Sequence, residues 1–216
     1  MTGRPCAIPL YANRDKPTAS IGTGFLATLK GRLALFTAAH VPTQQQPTAD
    51  QNWTGWPSQL WACVALNEHR PFDLFVETAR IRTPLFRFRR ADSGRLADMM
   101  AFTGPAHSST LNALQANYEV LELVPEGAPS PTDPLLHCHG YPGVGSAGTW
   151  PYEPAAVLSL PFARVVDGPM IEAAGESENG YSGGPVLDSS GTFVGMLIGH
   201  GDGHTRVVPG AVLAHL

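Results

Sequence analysis

The sequence predicts an all-β fold, either a barrel or a sandwich, on the strength of three observations. The 216 residues include 23 glycines and 20 prolines, which divide the chain into short apolar segments. Several of these segments alternate apolar and polar residues, as strands with one buried face do. Very few windows sustain the 3.6-residue period of an amphipathic helix. Many short strands separated by turns favour a barrel or a sandwich over a helical fold.

The elements follow from these patterns. Strands are predicted at residues 21–29, 33–37, 60–66, 72–77, 118–124, 135–138, 155–160, 185–187 and 192–198. A helix is predicted at 209–216, because Pro209 suits the first turn of a helix. Segments 42–57, 103–112 and 126–134 are predicted as exposed loops. We expect one unit of two lobes, about 1–125 and about 134–216, that meet near residues 125–134.

Charge and composition exclude several function classes. The net charge of −4 gives no overall attraction to nucleic acid or to an anionic membrane, so neither partner is expected. Six arginines fall between residues 80 and 95. We interpret this segment as a solvated strand and loop, with a patch for nucleic acid or an acidic partner as the alternative.

Two further features of the sequence bear on the cellular compartment of the protein. The first 17 residues lack the apolar core of a secretory signal, and the longest apolar run, 33–41, is about half the length of a membrane-spanning helix. Cys6, Cys63 and Cys138 are odd in number and widely spaced, which favours reduced thiols over a disulfide framework. We therefore expect a cytoplasmic protein.

The stretch ENGYSGGPV at residues 178–186 presents a single serine within a run of glycines. Glycine permits positive φ and leaves backbone amides uncovered, so Ser182 can project from the chain beside bare N–H groups. This arrangement suits a nucleophile. The alternative is an ordinary glycine-rich hairpin turn.

A serine nucleophile needs a base and a group that orients the base. His40 is a candidate base, because LALFTAAHV leads from an apolar strand into two alanines that leave space around the imidazole. The alternative is a structural histidine at a strand end. Asp98 in RLADMMAF and Asp73 in RPFDLFVE are the candidate acids, and either needs a hydrogen-bond partner if it points inward.

These motifs, in the order TAAH, Asp and GYSGGPV, resemble the chymotrypsin-like serine proteases. The resemblance extends to GTGF at 22–25, HGYPG at 139–143 and FVGMLIG at 193–199, and it covers about residues 22–209. In motif style it is closest to the glutamyl-endopeptidase and high-temperature-requirement branches. It implies two six-stranded antiparallel β-barrels with a short C-terminal helix.

The resemblance also implies an activity, that of a serine endopeptidase acting through an acyl-enzyme. The implied triad is His40, Asp98 and Ser182, since the family's spacing favours Asp98 over Asp73. The amides of Gly180 and Ser182 are the implied oxyanion hole. No cofactor or metal is expected, and the expected partners are a protein or peptide substrate and, as a candidate, a protein regulator.

The sequence favours a basic residue before the cleaved bond, with an acidic or polar residue as the alternative. In the family, the residue six positions before the serine can lie at the floor of the specificity pocket, and a carboxylate of Glu176 there favours Arg or Lys. His200 favours an acidic or polar side chain instead. The other residues implied to bind substrate are Ser177, Leu197, Ile198 and Gly199.

Tyr181 departs from the family's pattern. The digestive members carry Asp before the serine, where it pairs with a newly cleaved N-terminus, and Tyr181 permits no such ion pair. The resemblance is therefore to the branches that need no activation cleavage, and the order of the loop without that ion pair is left open.

Three other functions fit parts of the sequence. An α/β-hydrolase elbow fits GYSGG, but that fold places its acid and histidine after the serine, and only 34 residues follow Ser182. The clusters at residues 137–139 and 200–204 place candidate metal ligands close together. A metal site is disfavoured, because His137 and His139 point to one face of a strand and Cys138 to the other. The remaining alternative is a protease-like module that binds a partner without catalysis.

Overall fold

The computed structural model describes residues 4–12, 21–45, 53–65, 68–79, 81–90, 96–123, 134–142, 155–166 and 170–216. The strands of the first lobe are β1 (Ile8–Tyr11), β2 (Gly22–Leu29), β3 (Arg32–Thr37), β4 (Gln59–Ala65), β5 (Glu68–Asp73), β6 (Phe75–Glu77), β7 (Arg82–Pro84), β8 (Phe86–Arg90), β9 (Leu96–Phe102) and β10 (Val120–Glu122). Those of the second lobe are β11 (Leu135–Gly140), β12 (Ala156–Val166), β13 (Met170–Ala174), β14 (Pro185–Asp188), β15 (Phe193–Gly201) and β16 (His204–Pro209). The helical elements are a 3-10 turn (Pro105–His107), α1 (Ser108–Asn117) and α2 (Gly210–Leu213).

The two lobes are built from separate sheets. In the first lobe the strand order is β5-β4-β1-β2-β3-β9-β8, with β10 parallel to β2 and β6–β7 forming a separate pair. In the second lobe β11-β12-β13-β16-β15-β14 form a closed barrel. The predicted all-β double-barrel class is confirmed. The first lobe differs from the predicted six-stranded antiparallel barrel, since its sheet is an eight-stranded half-barrel in which β10 runs parallel to β2. The division near residues 125–134 stays a prediction, since residues 124–133 lie outside the described ranges.

Strand β2 shows how the sequence pattern places the lobes. Its residues alternate between two buried faces, as a period of two requires. Leu26 lies in the core of the first lobe, whereas Phe25 and Ala27 lie in a cluster between the lobes. The tight turn into β3 has positive φ at Lys30 (50°) and Gly31 (73°), the conformation that closes a two-residue hairpin.

The cluster between the lobes joins them through apolar packing. It combines Phe36 and Met99 of the first lobe with Met196 and Val208 of the second, and with Leu213 of α2. Burying each such side chain stabilises the fold by about 1.5–3 kcal/mol. The lobes are therefore held in a fixed relation, which a site shared between them requires.

The C-terminal helix predicted at 209–216 is confirmed as α2, but two predicted loops are wrong in part. Segment 103–112 contains the 3-10 turn and the start of α1, which buries Leu111 and Leu114 one turn apart. In segment 42–57, Trp53 and Trp56 are each only 5% exposed and pack edge to face. No helix among the described residues is long and apolar enough to cross a membrane.

Candidate active site

His40 and Asp98 are joined by two hydrogen bonds. The Nδ1–H of His40 donates to Oδ2 of Asp98 at 2.7 Å, and the backbone N–H of His40 donates to Oδ1 at 2.9 Å. Strands β3 and β9 bring them together, because Thr37 pairs with Met100 and the chain continues past the end of β3 to His40. The carboxylate fixes both the ring and its backbone. With the proton on Nδ1, the Nε2 of a neutral imidazole is left as an acceptor.

The rival acid, Asp73, lies elsewhere. It is exposed on β5 and accepts a hydrogen bond of 2.8 Å from Nε2 of Gln59, its register partner on β4. Its electrostatic effect is on His107, whose pKa it raises in opposition to burial. The carboxylate that contacts His40 is therefore Asp98.

The loop of Ser182 is packed against the strand end that leads to His40. The carbonyl of Ser182 accepts a 2.8 Å hydrogen bond from the amide of Thr23. At Gly183, which has φ +85°, an added Cβ would lie 2.1 Å from the carbonyl oxygen of Thr23 and 2.9 Å from the amide of Ala38. Only glycine permits this approach. Ser182 and His40 therefore lie at the same contact between the lobes.

The two side chains are not hydrogen-bonded to each other. No bond between Ser182 and the ring of His40 occurs among the described residues. Nucleophile–base contacts are often long in ligand-free active sites and shorten when substrate binds. Both side chains are intermediate in exposure, so both can be reached from solvent.

The backbone around Gly180 is held from the first lobe. Gly180 has φ +101°, and its carbonyl accepts a 2.7 Å hydrogen bond from Oγ1 of Thr23. The same oxygen of Thr23 accepts from the amide of Tyr141 at 3.1 Å. Within the described ranges, the amides of Gly180 and Ser182 donate to no backbone carbonyl. The sequence predicted only that Thr23 lies in a glycine-rich strand, and this contact with Gly180 was not predicted. The one signal for it was the position of Thr23 between the two glycines of GTGF.

Tyr181, which occupies the position of the family's aspartate, is 5% exposed and lies in the core of the second barrel. Burial raises the pKa of its phenol. A Cβ added to Gly140 would lie 2.6 Å from Cδ1 of Tyr181, so the ring lies directly on Gly140 of the HGYPG motif. Apolar packing of Tyr181 therefore orders the serine loop in the absence of that ion pair.

A pocket of about 340 Å³ lies beside the serine loop, lined by Pro142, Ser177, Glu178, Asn179 and His200. Oγ of Ser177, a residue only 4% exposed, lies 3.4 Å from Nδ1 of His200. Two of the predicted substrate-binding residues therefore meet in one pocket.

The other predicted substrate-binding residues have different positions. The carboxylate of Glu176 accepts a 3.2 Å hydrogen bond from the amide of Gly203 and lies outside the pocket lining. Leu197 is buried in the core of the second barrel, and its carbonyl accepts from the amide of Gly183 at 2.7 Å. Ile198 packs against the first-lobe core and the cluster between the lobes. Gly199 has φ +147° at an irregularity in the pairing of β15 with β16.

The candidate metal ligands at residues 137–139 have ordinary structural contacts. Nδ1 of His137 lies 2.8 Å from Oγ of Ser159. Cys138 is fully buried in the barrel, and burial raises the pKa of its thiol to about 12. In the part of the chain that the structure describes, no three His, Cys, Asp or Glu side chains are grouped as metal ligands would be.

The fold and the arrangement of the two lobes are those of the chymotrypsin-like serine proteases. No protein-family model and no curated protein sequence matches the chain, and the likeness is to solved structures.

Three of these structures show the likeness. A serine endoprotease from Yersinia pestis matches with a TM-score of 0.58 at 14% identity over 98% of this chain, which spans 61% of that structure's length. The active form of the Rv3671c protease from M. tuberculosis matches with a TM-score of 0.58 at 16% identity, over 98% of this chain and 79% of that one. The MamO protease domain from Magnetospirillum magneticum matches with a TM-score of 0.56 at 13% identity, over 99% of this chain and 96% of that one.

Proposed function

We propose that this chain is a serine endopeptidase that cleaves peptide bonds through His40, Asp98 and Ser182. The observation that carries the proposal is the doubly hydrogen-bonded pair of Asp98 and His40 at the lobe contact where the Ser182 loop is packed. A carboxylate that orients an imidazole near a solvent-accessible serine is the arrangement that activates a hydroxyl. The likeness in fold to serine proteases supports peptide or protein substrates.

The proposed reaction proceeds in two halves. Nε2 of His40 accepts the proton of Ser182 as Oγ bonds to the substrate carbonyl carbon, and the new imidazolium is stabilised by Asp98. The imidazolium then protonates the leaving amine, the C–N bond breaks, and an acyl ester remains on Ser182. Water attacks the ester while His40 accepts a proton from it, and that proton returns to Ser182 as the acid product leaves.

The amides of Gly180 and Ser182 are the proposed donors to the oxyanion that forms in both halves. Two observations support this assignment. Gly180 has a positive φ, and its carbonyl is held by a hydrogen bond, so together they set the orientation of the loop. One such donor typically contributes about 3 kcal/mol to the transition state.

The pocket lining supports a polar or acidic side chain at the residue before the cleaved bond. Ser177 and His200 offer a hydroxyl and an imidazole in one small cavity, and a side chain that bonds to both would be held in a fixed orientation. A floor carboxylate from Glu176 had favoured a basic residue, but that carboxylate contacts the amide of Gly203 instead.

The activity can be tested by labelling with a fluorophosphonate and by profiling a peptide library. We expect the wild-type protein to be labelled and to cleave peptides, and the Ser182→Ala and His40→Ala variants to do neither. Equal cleavage by wild type and Ser182→Ala would overturn the proposal, and so would a purified, folded wild type that is neither labelled nor active, which is the result expected of a binding module.

The role of Asp98 has a matched control in Asp73. Asp98→Asn is expected to lower kcat by about 10⁴-fold, because an amide favours the wrong imidazole tautomer. Asp73→Asn leaves the contacts of His40 unchanged and is expected to keep kcat within about two-fold, since exposed substitutions have small effects. The reverse result would assign the acid to Asp73.

A further inference from the structure

A second pocket, of about 280 Å³, lies at the far end of the first-lobe sheet from His40 and is lined by Leu29, Lys30, Arg32, Arg87 and Thr103. The turn between β2 and β3 supplies Lys30, and Arg32 is the first residue of β3. Strand β8 supplies Arg87, and Thr103 follows β9. Asp98 lies near the opposite end of β9. Thr103 is five positions further along the chain than Asp98, which is about 16 Å at the usual rise per residue of a strand.

No side-chain carboxylate of the described residues pairs with the cations of this pocket. Within the described ranges, Lys30, Arg32 and Arg87 form no ion pair, whereas Arg70, Arg82, Arg164 and Arg206 each pair with a carboxylate. One nitrogen of Arg87 donates at 3.3 Å to the main-chain oxygen of Leu216, the last residue of the sequence, which anchors the side chain and leaves its other donors for a ligand.

The carboxylate closest in register does not neutralise the pocket. Glu122 lies on β10 opposite Thr28, two residues before Lys30, and is beyond ion-pair distance from Lys30 and Arg32. Three cations that converge on one concavity repel each other, and a bound oxyanion relieves that repulsion. Two guanidinium groups and an ammonium are the donors that proteins use for phosphate.

Arg32 also borders an adjoining cavity of about 450 Å³, lined by Leu33, Gly104, Pro105, Ser108, Leu111 and Asn112. Leu33 is partly buried and Leu111 is 3% exposed, so this cavity presents an apolar floor next to the cationic pocket. A molecule with a phosphate at one end and an apolar ring or chain at the other matches the two cavities together.

We propose that these two cavities form a binding site for a phosphorylated small molecule. The phosphate lies among Lys30, Arg32 and Arg87, and the organic part lies over Leu33 and Leu111. A small ligand is favoured over a nucleic acid, because the chain's net charge is −4 and Lys30, Arg32 and Arg87 line a single concave pocket. The site explains part of the arginine-rich segment, which the proposed catalytic function does not use.

The test is isothermal titration calorimetry of the full chain with phenyl phosphate, inorganic phosphate and phenol. We expect phenyl phosphate to bind more tightly than inorganic phosphate, phenol not to bind, and affinity to fall with added salt. Lys30→Gln and Arg87→Gln should each lower the affinity for phenyl phosphate roughly ten-fold or more, the loss expected for one charge-assisted contact. Arg89→Gln, an exposed arginine on the same strand outside the pocket lining, should leave binding within about two-fold.

Several outcomes would overturn the site. The first is that neither phosphate compound binds. The second is that Arg89→Gln weakens the binding of phenyl phosphate as much as the pocket variants do. The third is that a twenty-residue deoxythymidine oligonucleotide binds and phenyl phosphate does not. Thermal melting of each variant confirms that it folds, and Lys30→Gln, in an exposed turn, remains informative if Arg87→Gln is unstable. All titrations are repeated on Ser182→Ala, so that a failed catalytic proposal and a failed binding proposal give separate results.

Discussion

Oγ1 of Thr23, in the first lobe, donates a 2.7 Å hydrogen bond to the carbonyl of Gly180, in the second. Thr23 is fully buried, and its backbone carbonyl in turn accepts from Oγ1 of Thr37 at 2.7 Å. Two buried threonines therefore connect the strand end that leads to His40 with the loop that carries Ser182. The proposed base and nucleophile belong to different lobes, and this connection sets their relative position.

Replacing Thr23 by valine keeps the shape and removes the hydroxyl. The carbonyl of Gly180 and the amide of Tyr141 then lose a partner in a buried setting, which should lower the free energy of unfolding by about 2 kcal/mol. Because Gly180 is a proposed oxyanion donor, we expect kcat to fall about ten-fold to a hundred-fold with KM little changed. Urea unfolding and steady-state kinetics on a cleaved peptide measure the two effects.

A matched control separates stability from positioning. Thr110 is also buried, and its Oγ1 donates to the carbonyl of Pro71 at 3.0 Å, but it lies on α1. Thr110→Val should lose similar stability with unchanged kcat, and Thr23→Ser should retain activity. Equal kcat for Thr23→Val and wild type would show that this hydroxyl does not position the loop.

The contact of Tyr181 with Gly140 yields a second prediction. A methyl group at position 140 would lie 2.6 Å from Cδ1 and 2.9 Å from Cα of Tyr181, so the backbone next to Ser182 must shift. Gly140→Ala is expected to lower stability by about 1–3 kcal/mol and to slow labelling of Ser182 by a fluorophosphonate. Gly201→Ala, where an added Cβ meets nothing within 4 Å, should change neither quantity. Normal labelling of a folded Gly140→Ala variant would contradict this role for Tyr181.

The contact of His40 with Asp98 was predicted only through the resemblance to the protease family, whose spacing favours Asp98. The apolar neighbours of the acid could not decide it, because Asp73 has a similar flank and would need a partner equally if it pointed inward. The sequence was not sufficient for Thr23 or Glu176, since their partners, Gly180 and Gly203, are backbone groups remote in sequence. Side chains that bond to remote backbone leave no local periodic signal. Helix α1 was missed because SSTLNALQAN has few apolar residues, and it is held by tertiary contacts such as that of Thr110 with Pro71.

The three cysteines should be inert in the folded protein. All are free and buried, and burial raises the pKa of the Cys6 and Cys63 thiols to about 11 and that of Cys138 to about 12. Since the thiolate is the reactive form, Ellman's reagent at pH 8 should label no thiol rapidly in native protein and all three in guanidinium chloride. Rapid reaction of one thiol in the native state would contradict this expectation.

The burial of His107 makes the free energy of unfolding depend on pH. It is 2% exposed and packs against the rings of Phe72 and Phe102, and burial lowers its pKa below the usual 6.5, with partial opposition from the bond to Leu85 and the charge of Asp73. Between the lowered pKa and about 6.5 the unfolded chain binds more protons than the folded one, so stability is complete above that range and falls as pH decreases through it.

The pH effect can be assigned to His107 by urea unfolding at a series of pH values from 8 to 5. We expect the free energy of unfolding of the wild type to fall over this range, because burial also lowers the pKa of His69 and His139. His107→Gln can still donate to the carbonyl of Leu85, which lies 3.1 Å from Nε2 of His107, but it does not titrate, so its stability should fall less steeply. His215→Gln, at an exposed histidine, is the matched control and should keep the wild-type slope. If His107→Gln loses stability with pH as steeply as the wild type does, the acid sensitivity arises from other groups.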